Sequence, residues 1–425
     1  MPNEKPTLNF YSIFCGVFLY DGKKNNSACA PWTDRIESPK VFYDYIGRTY
    51  YQNYFNNILK DSGAEKNQRG NSFLEHNTIR SLLSQPLAFE AGRNEPVKIT
   101  IPYFDCFLFS DGVGIFCFKV EFAEGQSTTY ENISKLLGYL RNPLSAINSD
   151  NQSQTITQFI QQYLEAGHHI PKDWNRYLNQ LKLFTIINDP SVKRITDEQD
   201  KTLFELSHTM PIGTIKAGLD DKPTDSYYQE ILRTNSISVY DNWKAISLLD
   251  SFTRLSCSYP DPFKTWEHDY FHIYIHCLYS KFQLYYFNSQ LTDLLQFNKQ
   301  TQTIRDRFVE FVNDYSLPYI SYKFLPNLLY EKMNASLEVQ KEQDAMERKI
   351  DRLNEAYQNK KSKQLNSLLL VISILSLASV FNDISQWLTN MGAPDKWVYN
   401  PLSILISVGA LATIAWIIFK RGRGG

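Results

Sequence analysis

The chain has 425 residues, with 44 Lys and Arg against 45 Asp and Glu and a formal net charge of −1. That balance removes any global electrostatic case for direct nucleic-acid binding, and a mean hydropathy of −0.37 excludes a protein embedded in a membrane throughout. Aromatic residues make up 14% of the sequence, which argues for a substantial packed core rather than disorder.

The N-terminus, Met1-Pro2-Asn3-Glu4-Lys5-Pro6, lacks the basic and apolar regions of a signal peptide. Targeting is therefore expected from the C-terminal hydrophobic segments. The six cysteines, Cys15, Cys29, Cys106, Cys117, Cys257 and Cys277, form no CxxC pair. Scattered in this way they read as reduced, mostly buried thiols of a cytoplasmic domain.

Leu8 to Tyr20 reads as a strand ending at Asp21-Gly22. Ile101 to Ser110 and Ile115 to Phe122 read as a hairpin closed by Asp111-Gly112-Val113-Gly114. Tyr130 to Leu140 and Ile156 to Ala166 carry helical periodicity. Leu181 to Ile187 is a short strand before Asn188-Asp189-Pro190, and Trp243 to Cys257 is a mixed segment read as strand. Strands separated by helices predict a layered α/β domain over residues 1–260. Gly112-Val113-Gly114 is too short for a dinucleotide fingerprint, and the GxxxxGK[ST] and GxSxG patterns do not occur. Asp220-Asp221 and His168-His169 read as solvated loops. No catalytic constellation emerges, and the chain reads as a non-enzyme.

Pro260-Asp261-Pro262 marks a boundary, and a helical stalk is expected over 261–363. Phe263 to Tyr315 reads as one long helix or a helical pair. His268, His272 and His276 recur at i, i+4 and i+8 on one face. Neighbouring imidazoles at that spacing can share a metal ion. The surrounding Phe271, Tyr274 and Tyr279 favour packing histidines instead, so no metal site is assigned. From Asn327 to Met391 the chain contains neither Gly nor Pro. This run predicts one uninterrupted helix, roughly 95 Å long at 1.5 Å per residue. The charges along its first half read as a solvated helix surface.

Residues 364–425 read as a transmembrane hairpin. Leu365 to Phe381 and Val398 to Phe419 are uncharged runs, each able to cross about 30 Å of hydrocarbon, the first by using its polar end. Lys360, Lys361 and Lys363 precede the first span, and Lys420, Arg421 and Arg423 follow the second. The positive-inside rule then places both termini in the cytoplasm. Trp387, Trp397 and Tyr399 fall at the outer interface, and Trp416 falls near the inner one. Within the first span, Asn366, Ser373, Ser376, Ser379, Asp383 and Gln386 share about 160° of arc at 100° per residue. In an oligomer this arc can line an aqueous pore, with Asp383 as an acidic ring favouring cations. Packing through small residues accounts for the same arc equally well.

The order of parts resembles the CorA family of divalent-cation channels: a large cytoplasmic α/β domain, long stalk helices, a first span continuous with the stalk, a short outer loop, a second span and a basic tail. The resemblance implies a homopentamer whose first span lines the pore, with a Gly-Met-Asn motif behind it. The corresponding loop here, Asn390-Met391-Gly392, carries those residue types in reverse order. That departure speaks against ordinary magnesium transport. The chain is most similar to divergent CorA-like membrane effectors associated with type III CRISPR defence. For that group the resemblance implies gating by a nucleotide second messenger, an S-adenosylmethionine–AMP conjugate, in a bacterial inner membrane. Two other readings stay open: a divalent-cation (magnesium) transporter, and a membrane-anchored binding protein or enzyme.

Overall fold

The computed structural model describes residues 8–20, 32–34, 72–76, 87–91, 96–109, 112–149, 152–165, 170, 172–216, 222–257, 262–292, 299–321, 323–390 and 409. Its organising element is a mixed sheet built on two long strands, β1 (Asn9–Leu19) and β7 (Val113–Phe122). These pair antiparallel from Ser12↔Val120 to Leu19↔Val113. On the other side of β1 lies β10 (Lys182–Asn188), again antiparallel. β10 then pairs parallel with β13 (Ser251–Ser256), which pairs antiparallel with β12 (Trp243–Ser247), and β12 with β11 (Ser236–Tyr240). Beyond β7 the sheet branches. β6 (Phe104–Leu108) covers one stretch of β7 and leads through β3 (Ser72–His76) to β2 (Trp32–Asp34). β5 (Val97–Ile101) takes the end of β7 and leads through β4 (Leu87–Ala91) and β8 (Ala146–Ser149) to β9 (Gln152–Thr155).

The alternation of side chains along β1 explains why a strand so apolar is stable. Its even positions Phe14 and Phe18 join a core with Phe104, Phe116 and Phe118. The helices α1 (Tyr130–Leu140), α2 (Ile156–Glu165) and α3 (Asp197–Ser207) cover that core with Leu136, Leu137, Phe159, Leu203 and Phe204. The opposite face receives a short helical turn, Phe263–Thr265, a π-helical turn, Trp266–Tyr270, and the long helix α5 (Phe271–Thr292). Contacts there are aromatic: Phe184 with Phe271 and Tyr274, Phe107 with His272, and Phe109 with Tyr279. The two buried faces make this a layered α/β unit, as the strand and helix pattern predicts. The amphipathic helix α4 (Asp225–Thr234) follows α3 in the crossover between β10 and β13.

Two cross-strand pairs fix β1 against β7. Gly16 faces Phe116, and Phe18 faces Gly114. A Cβ on Gly16 would stand 2.2 Å from Phe116 Cζ, and one on Gly114 would stand 2.4 Å from Phe18 Cζ. Each glycine therefore accommodates the phenyl ring of its partner. Gly112, at φ 83°, makes the turn into β7.

Several sequence expectations match closely. β1, the β6–β7 hairpin, α1, α2 and β10 lie within a residue or two of the expected bounds, except that β6 starts three residues late, at Phe104, because Ile101 ends a separate strand, β5. Trp243 to Cys257 is two strands, β12 and β13, joined by a tight turn in which Leu248 N–H donates to Ser251 O at 2.7 Å. Phe263 to Tyr315 contains α5 and α6 (Lys299–Tyr315). The polar strands β8 and β9 carried too little alternation to be seen in the sequence. Asp220-Asp221, His168-His169 and Cys29 lie outside the described residues. Among the described residues, Cys15, Cys106, Cys117, Cys257 and Cys277 form no disulfide.

The uninterrupted helix from Asn327 to Met391 is corrected. It is two helices, α7 (Phe324–Ser336) and α8 (Val339–Asn390). Glu338 has φ 56°, in the left-handed region, and this ends α7. The N–H of Leu337 reaches Met333 O at 2.9 Å, and that of Glu338 reaches Ala335 O at 3.1 Å. Glu338 O then accepts from Glu342 N at 3.2 Å and opens α8. The cause is tertiary. Leu337 is buried at 1% exposure, and Ser336 hydrogen-bonds Ser247 of β12 at 2.6 Å. Holding both against the sheet outweighs helix propensity at one position, a matter of about 1 kcal/mol.

The chain divides into two compact units. One comprises 1–293 and 303–346, and the other 294–302 and 347–425.

Candidate functional site

Two features are candidates: a membrane-length helix segment in the second unit and a cavity in the first. α8 is, among the described residues, the one helix long and apolar enough to cross a membrane. Leu365, Leu368, Leu369, Ile372, Leu375 and Leu377 are all about half exposed. Apart from Gly409, the second expected span, Val398 to Phe419, lies outside the described residues, as do Met391 and Gly392 of the loop.

The polar arc is intact on α8. Asn366, Ser373, Ser376, Ser379, Asp383 and Gln386 are exposed. Ser373 Oγ donates to Leu369 O at 2.8 Å, which satisfies its hydroxyl inside the helix. Between Leu365 and Val380 the partly covered residues are Ser367, Val371, Ile374 and Ala378. At 100° per residue these four form a narrow stripe, and the polar arc is centred about 180° away from it. Asn390, the first residue of the reversed loop motif, closes α8 and is exposed.

The histidines do not converge on a metal site. The π-helical turn carrying His268 changes the helical phase ahead of His272, so the regular i, i+4 geometry does not apply there. His272 packs edge-on to Phe107. His276 Nε2 lies 3.2 Å from Tyr315 O, between the rings of Tyr315 and Tyr330. Burial lowers the His276 pKa to about 4 despite that hydrogen bond. Among the described residues no group of three or more His, Cys, Asp or Glu side chains is placed to hold a metal ion.

The cavity has a volume of about 420 Å³, within the range of small-molecule sites. It lies wholly in the first unit, where the start of β10, the β12–β13 turn and one stripe of α5 meet. Asp250 in that turn anchors the floor. Arg141, the residue capping α1, donates to Asp250 Oδ2 at 2.5 Å, and Lys182 Nζ donates to Asp250 Oδ1. Leu183 N–H bonds Asp250 O at 3.0 Å and fixes the turn to β10. One wall is aromatic. Tyr177 stands perpendicular to Tyr285 at 5.5 Å and hydrogen-bonds Ser289 Oγ at 3.2 Å. The Arg176 guanidinium sits 5.8 Å from the Tyr177 ring centre. Another wall is formed by Lys281 and Leu337, and Lys281 Nζ pairs with Glu342 Oε1 at 3.0 Å. Tyr274 lies one turn before Leu278 on the same stripe of α5. Burial pushes its phenol pKa well up, with smaller pushes from Cys15 and then Asp250, and its hydroxyl is buried without a hydrogen-bond partner among the described residues.

The sequence did not reveal this cavity because its walls come from residues 176–182, 249–250, 278–289 and 337. The one local signal is the Arg176-Tyr177 pair, a cation beside an aromatic ring in a loop. No protein-family model matches the chain, and no curated protein or solved structure matches it.

Proposed function

We propose that the protein is a CorA-like, homo-oligomeric membrane channel or effector whose cytoplasmic domain responds to a small ligand. The observation that carries this reading is α8. A single helix begins beside the packed residue Leu337, passes the basic cluster Lys360, Lys361 and Lys363, and continues into an exposed apolar segment. Such a rod gives a change at its root a mechanical route to its far end. The exposed polar arc, placed opposite the partly covered stripe, supports a lumen-facing role in an oligomer. A pentamer in a bacterial inner membrane, with both termini cytoplasmic, follows from the family resemblance and the flanking charges. The nucleotide second messenger, an S-adenosylmethionine–AMP conjugate, and the antiviral role are carried by the resemblance alone.

The test is conductance. Purified protein in sealed liposomes is expected to pass ions only when the S-adenosylmethionine–AMP conjugate is present on the cytoplasmic side. Asp383→Leu removes the acidic ring and is expected to lower cation selectivity at least about fivefold, in line with the electrostatic strength of such rings. Unchanged conductance and selectivity in Asp383→Leu would remove the polar arc from the pore. Rescue of a magnesium-starved transporter-null strain would favour plain divalent-cation transport instead.

A further inference from the structure

The cavity beside α5 has a chemical character that narrows what it can take. Arg176, Lys182 and Lys281 line it beside one carboxylate, Asp250, while Arg141 and Glu342 reach it through ion pairs with Asp250 and Lys281. Asp250 is shared by two of the cations, and Glu342 neutralises one. Arg176 makes no ion pair among the described residues and lies over the Tyr177 ring. The excess is positive, and it is set beside two tyrosines whose rings meet at 90°. Guanidinium and ammonium groups select oxyanions, and exposed tyrosine faces select flat rings.

The same cavity reaches the joint that starts α8. Leu337 forms part of its wall, and Leu337 immediately precedes Glu338, the residue with φ 56°. Lys281 lines the cavity and holds Glu342 in the first turn of α8. We propose that the cavity binds a small organic anion carrying a flat ring, and that this anion competes with Glu342 for Lys281. Binding thereby loosens the tether of the α8 root to α5. The consequence for a membrane pore rests on the channel reading above, whereas binding itself does not.

The test uses the full chain in lipid nanodiscs, titrated calorimetrically with 1-naphthyl phosphate after subtraction of empty nanodiscs. Saturable binding at one site per chain is expected, at least about tenfold tighter than for inorganic phosphate or for neutral 1-naphthol. Arg176→Glu, at an exposed position that does not disturb the core, weakens it about tenfold. Glu342→Gln frees Lys281 and strengthens it about threefold, the opposite sign. Equal affinity for 1-naphthol, or no effect of Arg176→Glu, overturns the anion assignment. Weaker or unchanged binding in Glu342→Gln overturns the competition. The two proposals fail separately. Ring-selective binding with sealed liposomes overturns the channel reading alone, and absence of saturable binding overturns the cavity assignment alone.

Discussion

His276 shows how burial turns a polar side chain into a conditional one. It is 1% exposed on α5, held between Tyr315 and Tyr330. Burial disfavours the imidazolium, so the folded pKa falls to about 4 from the ordinary 6.5. A folded pKa below the unfolded one means that the stabilisation is complete above about pH 6.5. It is lost as pH falls from there toward 4. The full loss is about 3 kcal/mol, and the part between pH 7 and 5.5 is about 1 kcal/mol. His208, whose pKa is also lowered by burial, adds a slope of the same sign. Thermal unfolding at pH 7 and 5.5 therefore gives a lower Tm at the acid end. His276→Gln keeps an N–H for Tyr315 O but has nothing to titrate, so its Tm difference is smaller than that of the wild type. Equal differences for the two proteins would mean that His276 is already hydrated in the native state.

At the scale of elements, the joint between α7 and α8 is where local and tertiary preferences conflict. The absence of Gly and Pro from Asn327 to Met391 argued for one helix, and every residue type in the run, Glu338 included, is compatible with one. Glu338 in the left-handed region costs about 1 kcal/mol relative to glycine, offset by the buried Leu337 anchor. Lys341 Nζ pairs with Glu338 at 3.0 Å and lowers its pKa, but both side chains are too exposed for that pair to add more than a few tenths of a kcal/mol. Glu338→Gly is thus expected to be neutral or to stabilise by about 0.5 kcal/mol. In an unbroken helix the same change would cost about 1 kcal/mol. Denaturation midpoints of the two proteins read the sign directly. What was legible in the sequence follows the same division. The apolar runs of β1, β7 and β10 and the periodicity of α1 and α2 are local signals, and they placed those elements closely. The branching of the sheet at β7, the joint at Glu338 and the cavity depend on contacts between distant segments, which leave no local trace. The polar arc of α8 was legible because it is a property of one helix.

On the scale of the whole molecule, α8 carries an apolar surface that water does not support. Leu365, Leu368, Leu369, Leu370, Ile372, Leu375, Leu377 and Val380 are each about half exposed, and no residue from Leu365 to Val380 is buried. On the insertion scale, eight such residues contribute about −2 to −5 kcal/mol in total. Asp383 opposes this by up to about 3 kcal/mol at a membrane centre, and by less near the interface, where its position at the end of the apolar run places it. Insertion is favourable on this sum but not by a wide margin, so the lysines before the span and the residues after it both bear on anchoring. The first compact unit has its own buried core and ends at Met346, ahead of the exposed apolar segment. The full chain is therefore expected to remain with membranes through alkaline carbonate washing, while a chain ending at Asn359 is soluble and unfolds with the same pH dependence. Deleting the segment after Asn390 while keeping α8 separates the contributions. If one span suffices, the shortened chain stays in the carbonate-resistant pellet. If it is released, α8 anchors the protein only together with the sequence that follows it. Recovery of the full chain in the soluble fraction would overturn the membrane reading of α8, because eight exposed aliphatic side chains would then require cover from protein.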